Sequence, residues 1–208
     1  MSKTIEEYIS EANSLKNGVL SSDYLLRYPE TLAIIERFYS ELNKKNFGDN
    51  SIYQIEAEIV ESLVRGAMVN INSYKTSEKR LQVVAVCGLR DMIENILKFG
   101  GFKIVGRQLP LEDQFAEIAL MQGRLHRIPR GLKDAALKGF PDMLVDLIDE
   151  MLGPFFCYGA GFVYKNELVG NLAIIGRQLE VDMVRAEIIN SLLPIFAIVE
   201  MIYRCFSK

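Results

Sequence analysis

Residues 155–178, "FFCYGAGFVYKNELVGNLAIIGRQ", constrain the fold more than any other part of the chain. Two apolar, strand-like runs flank a polar turn at residues 165–167, which reads as a sheet-forming hairpin. Gly159, Gly161, Gly170 and Gly176 mark places where a ligand or a neighbouring backbone comes close, strand-to-helix packing being the more ordinary cause. The hairpin therefore lines either a pocket or only a core.

A second hairpin is expected further upstream. "AMVNINSY" alternates Met68, Asn70 and Asn72 with Val69, Ile71 and Ser73, "KTSEKR" makes a polar turn, and "LQVVAVCG" is rich in β-branched residues. Before it, residues 1–50 have helical periodicity, with Ile5, Tyr8, Ile9 and Ala12 on one stripe and Leu32, Ile35, Phe38, Tyr39 and Leu42 on another. The break is expected near Asn17 and Gly18, and Pro29 suits the first turn of the next helix. Ser51 is placed to cap a third helix whose Ile52, Ile55, Ile59, Leu63 and Val64 share a face.

Residues 89–153 mix short helices ("RDMIENILKF", "DQFAEIALMQ", "FPDMLVDLIDEML") with extended pieces around "FKIVGRQL" and "RLHRIP", the texture of a crossover that encloses a ligand. A long helix then covers about 181–206, interrupted or bent at Pro194. Its stripe of Ile188, Leu192, Ile195, Phe196, Val199 and Tyr203 extends around most of the cylinder through Ile189, Leu193, Ala197, Met201 and Ile202. Such a helix needs cover on most sides, which gives two expectations: the N-terminal helices of the same chain, or a second subunit in a homodimer through the outer helices.

Several function classes drop out on composition. The chain has 208 residues, half of them hydrophobic and a quarter charged, enough for one sizeable core. Its 24 Lys and Arg against 27 Asp and Glu give a net charge of −3, so no overall field draws nucleic acid or an anionic membrane. Cys87, Cys157 and Cys205 form no close pair and fit reduced thiols in the cytoplasm. The acidic start "MSKTIEEYISEANSL" is no targeting segment. The apolar stretch at residues 188–203 is short for a membrane span and closely flanked by Arg185 and Arg204, so a buried helix is expected.

No residue set spells out a reaction. His126 is the single histidine, which excludes a metal site of several imidazoles, and a Ser-His-Asp arrangement would have to use it. Its ordinary reading is an exposed or edge-strand histidine; the sharper one joins it with Arg124, Arg127 and Arg130 in a basic rim facing an anionic ligand. Asp142, Asp146, Asp149 and Glu150 alternate with apolar residues and read as the wet face of a helix rather than an acid/base pair.

Taken in order, the helix, the hairpin ending "VAVCGL", the variable middle, the hairpin "GFVYKNELVGNLAII" and the closing helix "NSLLPIFAIVEMIYR" resemble the GAF family of small-molecule sensor domains over residues 30–205. The middle is similar to GAF domains of archaeal sensor histidine kinases. The resemblance implies an α+β fold: a central antiparallel sheet of about six strands with helices on both faces, an N-terminal helical extension at 1–29, and a sensor domain at 30–208. The helices of 30–66 and 181–206 would pack on one face. The pocket would lie on the other, touching some of Leu89, Phe102, Phe115, Leu120, His126, Met143, Cys157 and Phe162.

The family's cyclic-nucleotide signature and its Cys-His pair for bilins are absent. The cofactor is therefore left unknown. Haem held through a cysteine, as in some archaeal redox-sensing members, would use Cys157 with His126, although no CxxCH motif exists here. The implied function is a cytoplasmic, homodimeric, non-enzymatic sensory module of a two-component system. It would bind a small ligand and report it through its terminal helices to a histidine kinase or other output domain. Alternatives are a structural adaptor with an empty pocket and a thiol-based sulfoxide reductase, the latter needing two cysteines within reach, for which Cys87 and Cys157 are the pair.

Overall fold

A computed structural model describes residues 3–21, 23–44, 51–88, 103–111, 114–128, 142, 143, 146, 150, 155–177 and 181–206. The chain opens with helix α1 (Ile5–Leu20), a 3-10 turn (Leu25–Arg27), α2 (Pro29–Lys44) and α3 (Ser51–Leu63). Strands β1 (Met68–Lys75), β2 (Arg80–Cys87) and β3 (Gln108–Pro110) lead to α4 (Gln114–Met121). Strands β4 (His126–Ile128), β5 (Phe155–Tyr164) and β6 (Glu167–Arg177) precede α5 (Met183–Phe206). All strand pairs are antiparallel, in the order β3-β2-β1-β6-β5-β4.

Local chemistry explains the element ends. Thr4 caps α1 by accepting from the Glu7 amide while the Glu7 carboxylate accepts from the Thr4 amide, so two end donors are satisfied reciprocally. The helix does not break at Asn17 and Gly18 as expected but runs to Leu20, where the Ser21 amide bonds to the Asn17 carbonyl. A single glycine weakens a helix without ending it. Pro29 does open α2. The β5–β6 turn is made by Lys165 and Asn166, both with positive φ (48° and 64°), the conformation that matches the twist of a two-residue hairpin. Both expected hairpins are present as antiparallel pairs, each with one register shift, at Ile71/Asn72 and at Phe162/Val163.

Strand alternation divides the sheet into two faces. Val69, Ile71, Ala85, Ala160, Phe162, Leu172 and Ile174 pack with α1, α2, α3 and α5 in the larger core, where the Phe196 ring meets Phe162 and Phe38 edge-on at 5.6 and 6.1 Å. Met68, Tyr74, Leu81, Val83, Val86, Cys157, Leu168 and Ile175 face the other way, with Leu120 and Met121 of α4.

The structure narrows two expectations about α5. The helix continues through Pro194, which is exposed, so the ring interrupts nothing on the packed side. Its apolar stripe is also covered within the chain: Ile188, Ile189, Leu192, Leu193, Ile195, Phe196, Val199 and Ile202 are all buried by the sheet and the N-terminal helices. Most of the apolar surface from which a homodimer was argued is thus covered, Met201 and Tyr203 being partly buried. Among the described residues α5 is the one helix long and apolar enough to cross a membrane, and much of it is buried in this core.

Candidate ligand face

The face opposite α1, α2, α3 and α5 carries polar groups where a core would carry none. Asn70 and Asn72, two residues apart on β1, share it with Asn171 of β6, which stands directly opposite Asn72. They are 5%, 3% and 8% exposed. Asn72 Nδ2 donates to Asn171 Oδ1 at 2.8 Å. Among the described residues the Oδ1 atoms of Asn70 and Asn72 have no hydrogen-bond partner. A buried amide oxygen that no donor reaches destabilises a fold by about 1–3 kcal/mol.

Register gives this face its shape. Asn70 pairs with Ala173, Ala173 with Gly159, and Gly159 with His126, so one row across four strands has Asn70 at one end, His126 at the other and only small residues between. Three inter-strand steps make that row about 14 Å long. Ile128 leans over it, its Cδ1 lying 3.1 Å from where a β-carbon on Gly159 would stand. One row away, Asn72, Asn171 and Gly161 are aligned, and there α4 comes down on the sheet, its Leu120 carbonyl filling the space of the missing Gly161 side chain. The His126 Nδ1 lies 3.1 Å from the Arg124 carbonyl; with the proton there it donates, leaving Nε2 as the ring's other polar atom.

The residues expected to touch a ligand separate. Leu120 and Cys157 are buried on this face and His126 ends the row described above. Phe162 is a correction: alternation turns it to the opposite face, where it is fully buried against Phe196. Met143 is 84% exposed, which is not the burial expected of a pocket wall. Leu89, Phe102 and the Phe115 side chain lie outside the described residues. Arg127 does not join a basic rim with His126, because it pairs with Tyr158 and sets its guanidinium 4.5 Å over the Phe156 ring, on the other side of the strand. Arg130 is outside the described set.

The pairing needed for thiol chemistry is excluded by the sheet. Cys87 and Cys157 lie on strands with β1 and β6 between them, and they pack into different cores on opposite faces. Asp142, Asp146 and Glu150 are exposed, as a wet helix face requires, and Asp149 is outside the described set. Among the described residues no group of three or more metal-ligating side chains occurs.

The asparagines themselves were not anticipated as site residues. Their alternation with Val69 and Ile71 reads as an ordinary wet strand face; only the structure shows β1 buried along both faces, and its two asparagines with it.

A cleft of about 360 Å³ opens elsewhere, between the start of α2, the end of α3 and the start of α5. Arg27, Arg65, Arg185 and Glu30 line it, with Arg65 paired to Glu30 and Arg185 paired to Asp182. Its cations are largely neutralised, and it is remote from the asparagine face.

Comparison with solved structures identifies the architecture. The phycoerythrobilin-bound GAF domain of a cyanobacterial phytochrome is similar, with a TM-score of 0.59 and 14% identity over 86% of this chain and 98% of that one. The GAF domain of a phosphoenolpyruvate-protein phosphotransferase from Coxiella burnetii gives 0.56 and 14% over 89% and 98%. The chromophore-binding domain of Stigmatella aurantiaca bacteriophytochrome gives 0.56 and 11% over 85% of this chain, which spans only 60% of that one. No family model matches the sequence, and no curated protein does. The chain has the GAF fold.

Proposed function

We propose that this chain is a sensory or regulatory GAF-type domain that binds a small, uncharged hydrogen-bond donor on the face bearing Asn70, Asn72 and Asn171, without chemistry of its own. The observation that carries this reading is the pair of buried amide oxygens without partners in the centre of that face. An amide oxygen accepts from N–H or O–H, and among the described residues the asparagines share this face with a buried cluster that includes Met68, Tyr74, Val83 and Ile175, which favours a neutral ligand. The solved relatives with bound bilins are GAF domains that hold a ligand, which supports the class and not the identity. The remainder of the reading is that the domain works in the cytoplasm and passes its state through the terminal helices to an output partner such as a histidine kinase.

A second reading, an adaptor with nothing bound, draws on the close packing of Leu120 over Gly161, which shows part of this face already filled. Native mass spectrometry with an absorption spectrum of freshly purified protein tests the two. A retained mass that disappears in Asn72→Leu supports the sensor, a Soret band would identify haem, and a clean apo mass favours the adaptor.

A further inference from the structure

Two carboxylates lie inside the helical layer, remote in role from the asparagine face. Glu56 of α3 is 0% exposed and Glu200 of α5 is 1% exposed. Ser73 Oγ donates to Glu200 Oε2 at 3.0 Å, and the Tyr53 hydroxyl lies beside the same carboxylate. Glu200 Oε1 and both oxygens of Glu56 have no hydrogen-bond partner among the described residues. Nor does a Lys or Arg pair with either among those residues. The nearby Arg204 is engaged elsewhere, its Nη2 donating to the Tyr74 and Val169 carbonyls at 2.6 and 3.2 Å.

Room for this arrangement is built in: a β-carbon on Gly170 would come within 3.3 Å of Glu200 Cγ. Tyr53 is itself held by the Tyr203 ring, stacked at 4.4 Å. The titratable and charged groups around Glu200 are thus Tyr53 and Glu56 from α3, and Tyr203 and Arg204 from its own helix. β1 adds Ser73 and β6 only Gly170.

Two unpaired anions cannot share such a volume, whereas a protonated carboxyl is neutral and can donate. We propose that Glu56 and Glu200 form a buried proton-binding site that fastens the C-terminal half of α5 to α3 and β1. Desolvation raises Glu200 to about 7, against the pull of its bonds from Ser73 and Tyr53 and of the Arg204 charge. Burial, followed by the charge of Glu200, holds Glu56 well above the ordinary carboxylate range. The charge on Glu200 thus bears on the proton that Glu56 holds. Carboxyls raised in the folded state stabilise it fully below the unfolded value and lose that contribution as pH rises through the folded one. The window is therefore from the ordinary carboxylate range up to about 7 and beyond, and alkaline pH loosens α5.

The experiment is urea unfolding of the full chain at pH 5.5 and 8.5 for wild type, E56Q, E200Q and the double variant, with amide hydrogen exchange over residues 196–206 corrected for the intrinsic pH effect. The wild-type folding constant should fall roughly tenfold or more over this interval beyond any fall in the double variant, with faster exchange in α5. The double variant should be the more stable at pH 8.5. An equal pH dependence in the double variant, or unchanged exchange in α5, would overturn the proposal. So would stabilisation of the wild type by added sodium, potassium, magnesium or calcium that E56Q abolishes, which would make the occupant a metal cation. Should the double variant not fold, the infrared carbonyl band of a protonated carboxyl at pH 6 in wild type decides; its absence also overturns the proposal.

Discussion

The carbonyl of Leu120 at the end of α4 occupies the place where a side chain on Gly161 would begin, its carbon lying 2.7 Å from the position of a β-carbon there. Helix and sheet backbone meet at this point without an intervening side chain. Gly161→Ala should push α4 off the sheet and lower stability by about 1–3 kcal/mol, as overpacking does. Gly18→Ala is the control, since a methyl there, in the last turn of α1, meets nothing within 4 Å and should leave stability unchanged or slightly raised. Urea midpoints of both variants check the contrast.

The amide pair Asn72–Asn171 offers a double-mutant cycle. Removing one partner leaves the other buried and unpaired, so Asn72→Leu or Asn171→Leu alone should cost about 1–3 kcal/mol. The double substitution should be less damaging than the sum, because no amide then remains to be satisfied. Additive losses would mean that the pair is not coupled.

Ile195→Glu and Ile202→Glu distinguish core from interface. Both positions are fully buried inside one chain, so each variant should lose cooperative unfolding, with a destabilisation of about 4 kcal/mol or more from an unpaired buried charge. A folded, purely monomeric Ile195→Glu protein in light scattering would instead place this stripe at a subunit interface.

The strands were legible because their signal is local. Alternation in "AMVNINSY", β-branched residues in "LQVVAVCG" and a turn at "KN" each act within a few residues of themselves. The candidate site was not legible because it depends on register. Asn70 and His126 share a row only through the order β1-β6-β5-β4, and a one-residue slip anywhere in it would separate them. Phe162 was misassigned for the same reason: an aromatic in a buried strand suits either face until the partner helix is known. Glu56 and Glu200 were overlooked because a single carboxylate in an apolar helix reads as its wet edge. Only the fold shows that α3 and α5 turn those edges toward each other.

The N-terminal helix carries a test with the opposite pH sign. Glu11 Oε2 accepts from Lys3 Nζ at 2.5 Å and from the Tyr164 hydroxyl at 2.9 Å, joining α1 to the tip of the β5–β6 hairpin. Partial burial works to raise the Glu11 carboxyl, but the hydrogen bonds from Lys3 and Tyr164 outweigh it and hold the group below its ordinary range. A carboxylate depressed in the folded state contributes stability above its unfolded value and loses that contribution as pH falls through the folded one. Glu11→Gln should therefore be less stable than wild type at pH 7, with the two converging below the ordinary carboxylate range. The effect is small, since the pair is partly solvated. Tyr164→Phe should reproduce part of it by removing one donor while keeping the ring against Tyr8, whose centroid is 5.7 Å away. Thermal unfolding from pH 3 to 8 reads the convergence, and a Glu11→Gln difference that persisted unchanged at pH 3 would assign the loss to packing rather than to charge.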